Sequence, residues 1–326
     1  MTTRRAFLDT LAGGLLGAPR IADAQLVGKV YRMGFLGGAG PAGYAALLDS
    51  LRAGLQERGY VEGQNLAVEF RWADGHYARL ATLAAELVHL KVDVIVTQGT
   101  PAALAAKRAT KTIPIVMAIV GNPVETGIVA SYARPGGNIT GSSFFWGEVT
   151  AKRVELLKTL QPSLTRVGAL QNPENPAMAS LLRAMQERGQ SLGVHVTPIG
   201  VKAVAELEPA LDLARSQVDA VTVVDDGIFI ANVGLIAELA RKRRLPSMGF
   251  REYCEAGGLA AYGVDFPYIW HQAAGLIDKI LRGARPADLP IEQASRFELV
   301  VNLKTAKVIG LTVPPSVLAR ADQIIE

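Results

Sequence analysis

KVDVIVTQGTPAALAAKRATKTIPIVMAIVGNPVETG, residues Lys91–Gly127, is the stretch that decides the fold of this chain of 326 residues. Its almost wholly apolar, β-branched start, Val92–Val96, is typical of a parallel strand that is buried on both faces. Thr100 is a good N-cap, and Pro101 stands where a helix tolerates a missing N–H group. The pattern therefore predicts a helix over Ala102–Ala109.

A second buried strand, predicted over Ile113–Ile119, breaks at Gly121-Asn122-Pro123. The two strands thus end side by side in small polar loops, one of which opens onto a helix N-terminus. In an open α/β sheet, ligands bind in the crevice beyond the carboxyl ends of the strands. The same strand-loop-helix unit recurs along the chain, which predicts mostly parallel sheets.

Length and composition indicate a globular protein of about two domains. Hydrophobic residues make up 49% of the chain and charged residues 20%, which is enough for two buried cores. The net charge is +4, but Lys and Arg are scattered and no DNA-binding motif occurs, so no nucleic-acid partner is predicted. The single cysteine, Cys254, excludes an intrachain disulfide and a cysteine-cluster metal site.

The first 24 residues have the pattern of an export signal. Arg4-Arg5 precedes the short apolar stretch Leu8–Ala18, and Ala22-Asp23-Ala24 forms an A-x-A cleavage site. The paired arginines also fit a twin-arginine signal. We expect cleavage after Ala24 and a periplasmic location; the alternative is a retained anchor, although the apolar stretch is short of the roughly 20 residues that span a bilayer.

The strand and helix pattern divides the rest of the chain into two Rossmann-like lobes that form a clamshell. Residues 28–143 plus 266–326 are predicted to form the N-terminal lobe, and residues 147–262 the C-terminal lobe. The strand Phe297–Asn302 has no partner in its own part of the chain, so we expect it to return to the first lobe. The chain would cross between the lobes near Ser143–Gly147, Gly263–Pro267 and Asp288–Ser295.

Sequence blocks spread over the whole mature chain resemble the ABC-transporter substrate-binding protein family that includes tryptophan/tyrosine binders. In the first half they are LQERGYVEGQN (55–65), LAAELV (83–88), VDVIV (92–96), GTPAA (99–103), TIPIV (112–116) and ARPGGNITG (133–141). In the second half they are LP (245–246), FREY (250–253), ELVVNLKTA (298–306), GLTVPP (310–315) and LARAD (318–322).

The resemblance implies the type I periplasmic-binding-protein fold and an extracytoplasmic receptor. Such a receptor hands a small solute to a permease in the inner membrane, which an ATPase drives. It leaves the solute open, and amino-acid-like or other small carboxylates, aromatic ones by analogy, are expected. We expect a monomer whose lobes close around the solute.

The candidate ligand-binding residues of the first lobe lie in strand-end loops. Gln98 and Gly99-Thr100 lie at a helix N-terminus, which suits a carboxylate; the alternative is a plain cap and turn. Asn122 can donate and accept hydrogen bonds, or it forms an Asx-turn before Pro123. Gly37 and Gly38 are predicted to form a loop of close approach on the wall of the cleft.

The candidates of the second lobe are polar strand-end residues and aromatic residues. Asn172 and Asp225 end strands, and Asp225 is the predicted partner of an amine; alternatively, Asp225 or Asp226 caps the helix that begins near Ile228. Phe145 and Trp146, at the first crossing, could stack on a flat ligand or pack between the lobes. Phe250 and Tyr262 are further cleft candidates.

An enzyme is not predicted. Gly38–Gly43 matches the G-x-G-x-x-G dinucleotide pattern, but Pro41 removes a backbone donor, and no clear ribose-binding acid ends the second strand. The four histidines are isolated, and no H-E-x-x-H, G-x-S-x-G or P-loop motif occurs. No cofactor and no metal are expected. The alternatives to a transport receptor are a periplasmic sensor subunit of the same fold and a secreted dinucleotide-dependent oxidoreductase.

Overall fold

The computed structural model describes residues 28–326, and the predicted export signal lies outside this range. In the described range, none of the helices combines the length and the hydropathy that a bilayer crossing requires.

The described chain folds into two sheets. The first has the strand order β11-β5-β4-β3-β1-β2, and the second β13-β12-β10-β9-β8-β6-β7. The strands of the first sheet are β1 (Tyr31–Gly37), β2 (Leu66–Trp72), β3 (Val94–Gln98), β4 (Ile115–Val120), β5 (Ile139–Ser143) and β11 (Glu292–Gln293). Those of the second are β6 (Arg166–Gln171), β7 (His195–Gly200), β8 (Ala220–Val223), β9 (Ser247–Gly249), β10 (Ala260–Val264), β12 (Phe297–Asn302) and β13 (Gln323–Ile325).

Helices cover the sheets. They are α1 (Ala45–Gln56), α2 (Leu80–His89), α3 (Gly99–Ala109), α4 (Trp146–Leu160), α5 (Met178–Ser191), α6 (Leu207–Gln217), α7 (Gly227–Ile230), α8 (Val233–Lys242), α9 (Arg251–Glu255), α10 (Phe266–Leu281), α11 (Leu303–Ile309) and α12 (Pro315–Leu318). Short 3-10 turns lie at Pro41–Tyr44, Tyr77–Arg79, Val204–Glu206 and Pro286–Asp288.

Every residue of β3 and β4 is buried, as the apolar runs within Lys91–Gly127 predict. All pairings between the strands are parallel except that of β10 with β12, which is antiparallel. Two mostly parallel α/β sheets are therefore confirmed. The carboxyl ends of β3 and β4 lie at one edge of the first sheet, and the loops that follow them face the second lobe.

The strand Phe297–Asn302 does not return to the first lobe, so this prediction is wrong. It pairs with β10 and with β13, both in the second sheet. The reason is that β10 has one open edge after β9 pairs with its other side, and the apolar run Leu299–Val301 fills that edge. Residues 297–326 therefore belong to the second lobe rather than to the first.

The chain crosses between the lobes three times, after β5, after β10 and after β11. The crossing segments lie against one another, because β11 pairs with β5 and β12 pairs with β10. Aromatic side chains connect them: Phe145 lies 6.4 Å from Phe297, and Tyr262 stacks on Phe297 at 6.3 Å between ring centroids. These segments form the hinge.

Candidate functional site

A cavity lies between the lobes. From the first lobe it is lined by the loops that follow β1, β3 and β4, and from the second lobe by the loops that follow β6 and β8. This is the crevice in which an open α/β sheet binds ligands.

The N-terminus of α3 opens onto this cavity. The helix begins at Gly99, whose φ is +78°, and Gln98 is the N-cap residue without a side-chain capping bond. Thr100 is therefore not the N-cap that the sequence predicts; it lies in the first turn. Its hydroxyl is buried and has no hydrogen-bond partner, and the first-turn N–H groups of a helix lack partners within the helix. This end of the cavity offers donors to an anionic group.

Gln98 lines the cavity beside this helix end, and its side chain is held in place. The hydroxyl of Tyr44, a fully buried residue, donates to Gln98 Oε1 at 2.7 Å. The orientation of the amide is thereby fixed, with its NH₂ group left as the remaining donor.

Asp226 is a buried carboxylate whose contacts are all with neutral donors. Oδ1 accepts from Tyr77 Oη at 2.7 Å, from the Ile228 amide at 3.2 Å and from Asn172 Nδ2 at 3.5 Å. Oδ2 accepts from Asn175 Nδ2 at 2.9 Å. Burial raises the pKa of Asp226, and no Lys, Arg or His within residues 28–326 forms an ion pair with it. A cationic group in the cavity would supply the missing counter-charge.

Asp225 also lines the cavity, but it already has a counter-ion. Arg153, which is fully buried, donates to both carboxylate oxygens at 2.8 and 2.9 Å. The indole N–H of Trp146 donates to Asp225 Oδ2 at 3.2 Å. The amine contact predicted for Asp225 therefore has a better candidate in Asp226, the other member of the pair, which caps α7 through the Ile228 amide.

Part of the cavity lining is apolar. Trp146, Phe144 and Phe266 lie there from the hinge side, with Ile119 from the end of β4. The indole of Trp146 packs directly on the backbone of Gly121 in the other lobe, where a Cβ atom would lie 2.2 Å from the ring. A glycine is required at this position because the ring takes the space of a side chain.

The structure brings some of the predicted residues to the cavity and places others elsewhere. Gly38, Gln98, Gly99, Thr100, Trp146 and Asp225 line it. Asn172 lies behind Asp226. Gly37, Asn122, Phe145, Phe250 and Tyr262 are not part of its lining.

Each of the residues outside the lining has a structural partner. Gly37 packs against the Trp72 ring, and Phe250 is buried against Phe266. Asn122 Oδ1 accepts from the amide of Glu125, three residues along the chain, at 3.3 Å. The stack of Phe145, Phe297 and Tyr262 belongs to the hinge.

Tyr77, Asn175 and Phe266 line the cavity but were not among the predicted site residues. Asn175 lies in the same Asn-Pro loop as Asn172, and this pattern could have indicated it. Tyr77 carries no local signal, because its partner Asp226 is 149 residues away in the chain.

The glycine loop after β1, Gly38–Gly43, approaches the backbone of the other lobe closely. A Cβ atom at Gly43 would lie 2.6 Å from the Cα and Cβ atoms of Ala231, in the other lobe. Likewise, a Cβ atom at Gly227 would lie 3.1 Å from the Tyr44 hydroxyl. The small residues let the two lobes meet.

Comparison with known proteins gives one family and several relatives. The model of the family described as ABC transporter substrate binding protein matches residues 40–325. The tyrosine-binding protein of Clostridioides difficile strain R20291 is 28% identical over 258 residues, which are 79% of this chain and 74% of that protein.

Two solved structures are also similar along most of the chain. One is an ABC domain in complex with L-Trp from Streptococcus pneumonia, with a TM-score of 0.83, 28% identity, and coverage of 91% of this chain and 100% of that one. The other is a conserved domain protein from Vibrio cholerae, with a TM-score of 0.85, 29% identity and the same coverage.

Proposed function

Because this chain belongs to the ABC transporter substrate-binding protein family, we propose that it binds a free amino acid with an aromatic side chain between its lobes. Proteins of this family bind small solutes outside the cytoplasm and work with a membrane permease. The observation that carries the proposal is Asp226, a buried carboxylate on the cavity wall with neutral contacts only.

The ammonium group of the amino acid is proposed to approach Asp226. A buried anion without a cation is costly, and a charge-assisted hydrogen bond from an ammonium group removes that cost. Asp225 would not compete for this group, because Arg153 already donates to both of its oxygens.

The carboxylate of the amino acid is proposed to bind at the start of α3. The first-turn N–H groups, the partial positive charge of the helix end and the unpaired Thr100 hydroxyl suit a carboxylate. The polar ends of the ligand would then each have a complementary group, one from each lobe.

The side chain of the amino acid is proposed to lie against Trp146, Phe144, Phe266 and Ile119. These residues form the apolar wall, and aromatic rings pack well against one another. The two relatives with a named ligand support this choice, since one is a tyrosine-binding protein and the other is a domain solved with L-Trp.

Delivery to a permease after export to the periplasm completes the proposed role. The export signal with cleavage after Ala24 and action as a monomer are parts of the proposal. A sensor subunit of the same fold is the second candidate; permease and ATPase genes beside this one would favour transport, and a neighbouring histidine kinase or cyclase would favour sensing.

The test is calorimetric titration with L-tryptophan, L-tyrosine and two truncated analogues. Tryptamine lacks the carboxylate and indole-3-propionate lacks the ammonium group. We expect the amino acids to bind at least about tenfold more tightly than either analogue, as the loss of one charge-assisted contact predicts. Absence of binding by any aromatic amino acid would contradict the proposal.

The variant Asp226→Asn tests the ammonium contact. It should weaken binding of L-tryptophan at least about tenfold and change binding of indole-3-propionate much less. Asp212→Asn is the control, because Asp212 is an exposed residue paired with Arg243 far from the cavity. If Asp226→Asn weakened the affinity for L-tryptophan and for indole-3-propionate by the same factor, Asp226 would be assigned a role in lobe closure alone.

A further inference from the structure

A wide groove lies beside the ligand cavity. It encloses about 1330 Å³ including the solvent at its mouth. One wall consists of α4 and α5 in the second lobe, and the other is the loop of Asn122, Glu125 and Tyr132 in the first lobe. The groove therefore runs along the same gap between the lobes as the cavity does.

Trp146 and Phe144 line both spaces. Their rings lie 5.9 Å apart, and both side chains are almost fully buried, Trp146 being 5% and Phe144 6% exposed. The two rings thus form a partition between the cavity and the groove.

The indole of Trp146 is held by two contacts: its N–H group donates to Asp225, and its ring edge packs on Gly121. Asp225 is itself held by Arg153. The Arg153 guanidinium in turn donates to the carbonyls of Tyr262 and Val223, at 2.7 and 3.0 Å. Rotation of the indole out of the partition would break its bond to a buried carboxylate, so the partition is a rigid wall.

We propose that Trp146 sets the length of the side chain that the cavity accepts. This inference rests on the proposed function, which directs the ligand side chain toward the aromatic wall. A side chain longer than one aromatic ring system meets the indole, although unoccupied space lies directly behind it. Removal of the indole joins the cavity to the groove and admits the longer side chain.

The experiment compares each aromatic amino acid with its own benzyl ether. The probes are L-tyrosine with O-benzyl-L-tyrosine and L-tryptophan with 5-benzyloxy-L-tryptophan, titrated calorimetrically into the wild-type chain and Trp146→Ala. In the wild type we expect the parent amino acid to bind at least about tenfold more tightly than its ether. In Trp146→Ala this ratio should fall at least about tenfold, because the ether gains a path into the groove.

Arg183→Ala is the matched control. Arg183 is an exposed residue that lines the groove and not the cavity, so its truncation widens the groove and leaves the partition intact. In this variant we expect the same ratio of parent affinity to ether affinity as in the wild type. Trp146→Leu serves as a second opening variant if Trp146→Ala does not give a cooperative thermal transition.

The outcomes separate the two proposals. If the wild type binds neither parent amino acid, the proposed function fails and the partition proposal fails with it. If the wild type binds a parent amino acid, and folded Trp146→Ala and Trp146→Leu still reject its ether, the partition proposal alone is overturned. The partition proposal would also be overturned if the ratio of parent affinity to ether affinity changed as much in Arg183→Ala as in Trp146→Ala.

Discussion

Asp225 and Asp226 are neighbours in the chain with different chemical surroundings. The sequence indicates that one of them caps a helix and that one faces the ligand, but it cannot assign these roles. The assignment depends on Arg153, which lies 72 residues from Asp225, and on Tyr77, which lies 149 residues from Asp226. Such contacts depend on tertiary packing, and no local pattern of residue types encodes them.

The Arg153–Asp225 pair should be important for stability. Asp225→Asn leaves a fully buried guanidinium without its anion, and breaking a buried pair in this way costs about 3–5 kcal/mol. Urea denaturation followed by circular dichroism measures this change. Asp288→Asn, in an exposed pair with Arg285, should leave the free energy of unfolding almost unchanged; similar losses in the two variants would refute the buried-pair assignment.

Glu252 on α9 should make stability depend on pH. Burial raises the pKa of Glu252 from 4.5 to about 7, and its Oε2 atom has no hydrogen-bond partner. The nearby charges are Glu255, Asp225 and Arg251. Between pH 4.5 and 7 the folded chain binds more protons at this residue than the unfolded chain does, so its contribution to stability falls as the pH rises.

We therefore expect the melting temperature of Glu252→Gln to fall less than that of the wild type between pH 5 and pH 8. Thermal melts followed by circular dichroism at several pH values measure the difference, which isolates Glu252 from the other titrating groups. Glu187→Gln changes an exposed residue and should follow the wild-type profile. Parallel profiles for Glu252→Gln and the wild type would show that Glu252 is ionised in the folded protein.

At the scale of elements, the sequence predicts local features well and long-range pairing poorly. The strands β3 and β4 and the helix α3 follow from apolar runs and from the breaks between them. The placement of β12 does not, because its partner β10 is separated from it by the whole of α10 and β11. A strand pattern gives the presence of a strand but not the open edge that it will join.

The contact between Gly43, in the loop after β1, and Ala231, the residue after α7, should limit how far the two lobes close. In Gly43→Ala the new Cβ atom would lie 2.6 Å from the backbone of Ala231, so the lobes must move apart. We expect ligand affinity to fall about tenfold or more, measured by calorimetry.

Gly234→Ala is the control for this change. Nothing lies within 4 Å of a Cβ atom at Gly234, which is in the first turn of α8. Its replacement should leave affinity unchanged, because the added methyl group meets no neighbouring atom. Unchanged affinity in Gly43→Ala would show that the ligand-bound form does not bring these two atoms together.

At the scale of the whole molecule, the predicted family and the two-lobed, mostly parallel α/β fold are confirmed. The family follows from residue blocks spread over most of the chain, and the fold from the repeated strand-loop-helix unit. The shape of the cavity could not be predicted, because each of its walls combines loops from distant parts of the chain. Asn122 and Phe145 show this: both follow strands of the first lobe, yet they lie along the groove and not in the cavity.

The bond between Tyr77 and Asp226 joins the two lobes directly. Tyr77→Phe removes a hydroxyl that donates to a buried carboxylate at 2.7 Å, so the closed form loses a charge-assisted hydrogen bond. We expect ligand affinity to fall about tenfold or more. Small-angle scattering should show a smaller decrease in the radius of gyration at a given ligand concentration. Tyr268→Phe, at an exposed tyrosine outside the cavity, should behave as the wild type; equal scattering curves for both variants would contradict this role of Tyr77.

The three chain segments of the hinge restrict how the halves of the molecule can move. Because the segments run next to one another, only a rotation of the lobes about a single axis leaves all three unstrained, whereas twisting or sliding of the lobes would stretch at least one segment. Each closure of the lobes therefore follows the same path and brings the same atoms face to face. The solute meets the same binding-site geometry in every closure, so the protein does not have to search among alternative arrangements.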